Sequence, residues 1–153
     1  MFLGGTWRAG SAGETISVID AATGKPFVDV AAATEDDARE AMDRAVEVQA
    51  DWGESTPRER SEILRRLFDL VHEHAEQLAA LQSLELGRAL PDSAGEVTYA
   101  AEYLRWFSER AAAITGEYRV APAGNGRIVT THRPVGPVLA ITPWNFPLAM
   151  VTV

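Results

Sequence analysis

The stretch Ile141-Thr142-Pro143-Trp144-Asn145-Phe146-Pro147 constrains this chain more than any other, because two prolines bracket three residues within it. Each proline fixes its own φ, removes an N–H donor and drives the preceding residue towards extended conformations. Thr142 and Phe146 are therefore restricted together with Pro143 and Pro147, and the loop is stiff. Ahead of it runs Val135-Gly136-Pro137-Val138-Leu139-Ala140-Ile141, a short apolar, β-rich sequence of the kind that forms a strand buried on both faces of a parallel sheet. In open α/β sheets ligands bind beyond the carboxyl ends of the strands, which is where a loop leaving this strand would lie. Asn145 is the one side chain of the loop with both an amide donor and an acceptor. On composition alone two readings stand: a packing loop beneath a core, and a loop that presents Asn145 to a ligand.

Upstream, the sequence is largely helical. Phe2 to Trp7 and Thr15 to Ile19 are apolar-rich runs separated by Gly10-Ser11-Ala12-Gly13, a pattern that predicts an antiparallel hairpin. Ala22-Thr23-Gly24-Lys25-Pro26 is turn chemistry, and Pro26 to Ala31 resumes an extended stretch. Thr34 with Asp37 approximates a capping box, and Glu35, Asp36 and Asp37 sit where a helix start favours negative charge. Ala38, Ala41, Met42, Ala45, Gln49 and Trp52 then recur at helical spacing and predict a stripe that packs Met42 and Trp52 inward. A second helix opens at Thr56-Pro57-Arg58-Glu59, with proline at its first position and a Thr/Glu capping pair, and its expected inward stripe is Ile63, Leu64, Leu67, Phe68 and Val71. A third segment, Ala75 to Leu86, carries Leu78, Leu81 and Leu84 or Glu85 before Gly87 stops it. Pro91 to Ile114 is a fourth, with Val97, Ala101, Leu104, Phe107 and Ala111 inward and Trp106 beside them. Glu117 to Pro122 and Arg127 to Pro134 are extended runs joined by Ala123-Gly124-Asn125-Gly126, a hairpin signal. Such a two-stranded unit is marginal in water by itself, so it is expected to lie against a sheet of its own or a neighbouring subunit.

The composition narrows the chemistry. The chain has 153 residues, 46% hydrophobic, and a formal net charge of -8 from 14 Lys+Arg against 22 Asp+Glu. With no basic run interleaved with aromatics, nucleic acid and anionic membranes are disfavoured as partners. No apolar run is long enough to span a bilayer, and the start Met1-Phe2-Leu3-Gly4-Gly5 lacks a signal peptide's basic region, so a cytoplasmic protein is expected. There is no cysteine, hence no disulfide, thiolate metal site or cysteine nucleophile within these residues. His72-Glu73-His74 lacks the i, i+4 spacing that would set both imidazoles on one helical face, and Glu35-Asp36-Asp37 lacks the calcium-loop spacing. No metal site is expected. Gly124-Asn125-Gly126 follows no βα turn and reads as a turn rather than a dinucleotide fingerprint. Glu85 and Arg88 near a helix end could orient a ligand, with an exposed pair or a cap as the plainer account.

Pro134 to Pro147 as a whole resembles the signature segment of the NAD(P)-dependent aldehyde dehydrogenases. Gly4-Gly5-Thr6-Trp7, Asp20 to Lys25, Ala33-Thr34 and Leu84-Glu85-Leu86-Gly87-Arg88 are similar to successive landmarks of that family, and Gly95-Glu96-Val97 with Trp106-Phe107 resembles its succinate-semialdehyde branch. The resemblance implies an α/β fold: an N-terminal hairpin and helices over 1–116, a β-hairpin oligomerisation arm over 117–134, and over 135–153 the start of a doubly wound cofactor-binding sheet, with Val138 to Ile141 as its first strand. It implies NAD or NADP as cofactor, with weak or no binding by the isolated chain, an aldehyde as substrate, and a homo-oligomer formed through the arm. It makes Asn145 an oxyanion-stabilising donor, and Ile141, Thr142, Pro143, Trp144 and Asn145 a wall along the dinucleotide. The family's nucleophilic cysteine, general-base glutamate, ribose-contacting lysine and phosphate-binding glycine loop have no counterpart in these residues. Val153 resembles the position of an arginine that holds the substrate carboxylate in the succinate-semialdehyde branch; valine cannot pair with a carboxylate. The chain alone is therefore expected to be inactive. The alternatives are a non-catalytic module that binds full-length subunits, and a functionless fragment.

Overall fold

The computed structural model describes all residues from Met1 to Val153. Local hydrogen-bonding chemistry sets most of its elements. At the N-terminus β1 (Phe2–Leu3) turns back on β2 (Thr6–Trp7) through Gly4 and Gly5, both at positive φ, 59° and 82°, which glycine adopts without a Cβ penalty. The next pair is β3 (Thr15–Ile19) with β4 (Pro26–Ala31), antiparallel, with a bulge after Val18. Its turn is built on Asp20, whose carboxylate accepts from the Ala22 N–H and the Thr23 hydroxyl, both at 2.8 Å. The expected pairing of Phe2–Trp7 with Thr15–Ile19 is thus corrected: each run has its own partner, because each is followed by a turn tight enough to close a hairpin locally.

Helix α1 (Glu35–Glu54) starts at a complete capping box between Thr34 and Asp37, and α2 (Pro57–Glu73) at a second one between Thr56 and Glu59. Helix α3 (Ala75–Leu86) ends on Gly87 in the left-handed conformation. Helix α4 (Leu90–Ala111) is the spine, packed against α2, α3 and the short terminal α5 (Ala149–Thr152). The core is the cluster of Phe68, Val71, Ala79, Val97, Ala101 and Leu104, with Leu64, Leu78 and Leu148 against it.

Several expected inward residues face solvent. Ile63, Leu67, Leu81, Leu84 and Phe107 are exposed. So are Met42 and Trp52 of α1, 39% and 46% accessible, because no other element packs along that helix; only Asp37 at its first turn is buried. A second hairpin also forms, β5 (Glu117–Val120) against β6 (Arg127–Thr130), in a regular antiparallel register, and both strands stop short of the expected ends at Pro122 and Pro134.

The parallel sheet does not form within these residues. All three sheets have two antiparallel strands, and residues 131–143, including Val138 to Ile141, belong to no strand. A parallel strand needs neighbours for its backbone and cover for both faces. Here Val135, Val138, Leu139 and Ile141 all project into solvent. No helix is long and apolar enough to cross a membrane.

Candidate functional site

The stiff loop is fastened to the helical scaffold at its far end. Downstream of Pro147, Leu148 is half-buried against the core and Ala149 is completely buried. Their backbone N–H groups both donate to one oxygen of Glu96, at 3.0 and 3.1 Å. Glu96 lies on the inner face of α4 and is itself buried. Its other oxygen receives the Arg88 guanidinium. The same guanidinium donates through its second terminal nitrogen to the backbone carbonyl of Asn145 and lies over the Phe146 ring, 4.7 Å from the centroid. Arg88 is set for this by the left-handed Gly87, which turns the chain out of α3 and into α4.

The pairing of Arg88 is therefore not with Glu85, which is exposed; the charge partner lies eight residues on, across the α3–α4 turn. Glu96 escaped the reading of the residues alone, where it figured only as part of a resemblance. A signal did exist, since it falls on the face shared by Ser93, Val97, Ala100 and Leu104, and a lone carboxylate in an otherwise small and apolar buried stripe implies a partner.

Around this clamp the expected site residues divide into two groups. Asn145, through its backbone carbonyl, and Phe146, through its ring, meet Arg88, and the Asn145 side chain remains exposed. Ile141, Thr142, Pro143 and Trp144 are exposed and reach no part of the helical core, Ile141 being 89% and Trp144 79% accessible. They extend away from the point where the loop is fixed. The largest surface concavity lies elsewhere, between the first hairpin and α1, lined by Phe2, Arg8, Glu40 and Arg44. His72 packs against Phe68 with ring centroids 4.7 Å apart and the rings tilted by 45°, a packing role on α2. Glu35 and Asp36 pair with Arg39 within α1.

Asp37 holds the first hairpin link to α1. Its carboxylate accepts from the N–H groups of Thr34 and Ser11, and from Arg8 at 3.2 Å. The Thr34 N–H, then the Ser11 N–H, hold its pKa down at about 2. Glu59, capped by the Thr56 N–H and hydroxyl, is also shifted below the ordinary carboxylate value. These shifts belong to helix starts and lie far along the chain from Asn145.

A scaffold of capped helices that grips a Pro-Trp-Asn-Phe-Pro loop beside an unpaired extended segment defines the class, and comparison with known proteins agrees. The model of the aldehyde dehydrogenase family matches residues 7–153, and the chain belongs to that family. It is 50% identical over 123 residues to a succinate-semialdehyde dehydrogenase of Paenarthrobacter nicotinovorans, covering 80% of this chain and 27% of that protein. It is 37% identical over 150 residues to the NADP(+) succinate-semialdehyde dehydrogenase of Escherichia coli, covering 98% of this chain and 31% of that one. The crystal structure of succinate-semialdehyde dehydrogenase from Burkholderia pseudomallei superposes with a TM-score of 0.93 at 38% identity, over 99% of this chain and 31% of its own. The chain thus spans about a third of the length of these relatives.

Proposed function

We propose that these residues are the N-terminal part of an NAD(P)-dependent dehydrogenase that oxidises an aldehyde to a carboxylic acid, succinate semialdehyde being the leading candidate, and that Asn145 supplies the oxyanion-stabilising amide. The observation that carries this reading is the loop itself: its backbone is tied down at Asn145, Leu148 and Ala149, while its one amide-bearing side chain is left exposed. When a nucleophile adds to an aldehyde carbonyl the oxygen becomes negative, and an amide N–H held without freedom to reorganise stabilises that charge as it develops. NAD or NADP, when bound, would supply the hydride acceptor. In this reading Ile141, Thr142, Pro143 and Trp144 form the wall that the dinucleotide, NAD or NADP, lies against. Their exposure fits a surface awaiting cover. The hairpin Glu117–Thr130, with Tyr118, Val120 and Val129 exposed, serves as an arm that pairs with a neighbouring subunit. The parts are then 1–116 as scaffold, 117–134 as arm and 135–153 as the opening of the cofactor sheet.

The nucleophile must come from elsewhere, since the chain has no cysteine. The isolated chain is expected to reduce no NAD or NADP with any aldehyde. A graft tests the role of Asn145: residues 1–153 replace the matching segment of the Escherichia coli relative, and turnover is followed by absorbance of the reduced nicotinamide. Asn145→Ala in that graft should lower kcat on the order of 100-fold, the usual effect of losing one oxyanion donor, with a smaller change in KM. A kcat within about twofold of the parent graft would sink the reading.

A further inference from the structure

We infer that Arg88 and Glu96 are positioning residues for the Asn145 loop, and that the helical scaffold, not the cofactor sheet, sets where Asn145 sits. The inference rests on the proposed role of Asn145. Three observations carry it. First, one guanidinium joins both sides: one terminal nitrogen holds Glu96, the other holds the Asn145 carbonyl, and its face covers Phe146. Second, Glu96 takes the two N–H groups of Leu148 and Ala149 at 3.0 and 3.1 Å, so the loop is held on both sides of Pro147 by one charge pair. Third, the loop is docked although residues 131–143 belong to no strand and pair with nothing.

Elementary energetics make the pair a unit. Glu96 is buried, and a buried carboxylate is tolerated only when its charge and its lone pairs are both answered. Arg88 answers the charge, and the loop's own N–H groups answer the remaining lone pairs. The loop therefore completes the burial of Glu96 at the same time as Glu96 orders the loop. Fixing the Asn145 carbonyl fixes the peptide plane next to the side chain, which leaves its amide only its own χ rotations to choose among. Lysine at 88 could neutralise Glu96, but a single ammonium cannot span Glu96 and the Asn145 carbonyl in the fork geometry of arginine.

Amide hydrogen exchange by NMR on the 153-residue chain tests this directly. The parent should protect Leu148 and Ala149 while Val135, Val138 and Leu139 exchange freely. Arg88→Met should speed exchange at Leu148 and Ala149 by about tenfold or more, the scale of a lost charge-assisted bond, and leave Phe68 and Leu104 in the core unchanged. Arg88→Lys should recover part of that protection, through the restored charge beside Glu96. Equal protection in parent and Arg88→Met, or a rise at Phe68 and Leu104 as large as at Leu148, would overturn the inference. Should Arg88→Met fail to fold, Phe146→Leu takes its place, because it keeps the ion pair and removes only the ring: about threefold faster exchange confined to 146–149 is expected, and no change overturns the inference. Turnover of the graft with Asn145→Ala tests the dehydrogenase reading separately, so either can fail while the other stands.

Discussion

Helices α2 to α4 and the stretch 131–144 are both rich in apolar residues, and only the helices bury them. Phe68, Val71, Val97, Ala101 and Leu104 meet around one axis, whereas Val135, Val138, Leu139, Ile141 and Trp144 stand in solvent. A helix satisfies its own backbone and asks its neighbours only to cover one stripe. A strand of a parallel sheet asks for hydrogen-bond partners along both edges and cover on both faces, all supplied by distant chain. The helical part can therefore close a core within these residues, although Ile63, Leu67, Leu81, Leu84 and Phe107 stay open to solvent. The extended part cannot. The loop at Asn145 lies at the border and takes its position from the helical side.

The contrast can be broken at its strong end first. Leu104→Ala should destabilise the chain by about 3 kcal/mol in urea unfolding, since it leaves a cavity where α4 meets α2. A loss below about 1 kcal/mol would mean that the helical core is no tighter than the extended stretch. Glu96→Ala should cost about 2 kcal/mol, because it removes the charge partner of Arg88 and the acceptor of the Leu148 and Ala149 N–H groups together, and it should also release the loop in hydrogen exchange. Thr56→Ala should remove about 1 kcal/mol by uncapping α2. At the weak end, Ile141→Ser should shift stability by less than about 0.5 kcal/mol, and a larger loss would show that the stretch is packed after all.

Acid provides a further test. Asp37 has its pKa lowered from 3.8 to about 2 on folding, so the unfolded chain binds its proton more readily than the folded one. Its contribution is present above pH 4 and is lost as pH falls from there through about 2. The urea midpoint should decline over that window, and Asp37→Asn should flatten the decline, with Glu59 left to contribute in the same direction. Parallel declines in both proteins would remove Asp37 from the account.

What could be read from the residues follows from the range of the interactions. Both capping boxes, the Gly87 stop and the hairpin around Gly124 are hydrogen-bond patterns closed within a few residues, so spacing reveals them. The stripe of α1 was equally visible, but periodicity shows which face is apolar and not whether anything covers it; Met42 and Trp52 are left open. The same limit explains the N-terminal strands. Four extended runs permit several pairings of similar pattern, and the Gly4-Gly5 and Asp20 turns decided between them. Sequence proximity puts Arg88 beside Glu85, while its partners lie 8 and 57 residues away.

By itself, then, the sequence determined the helix starts and stops and the stiffness of the Pro143–Pro147 loop, because dihedral limits and cap hydrogen bonds are local. Only the tertiary structure decided where that loop rests. Burying the charge of Glu96 on α4 required a guanidinium from the α3–α4 turn and two N–H groups from beyond Pro147, and no local rule could have chosen those three segments for one another.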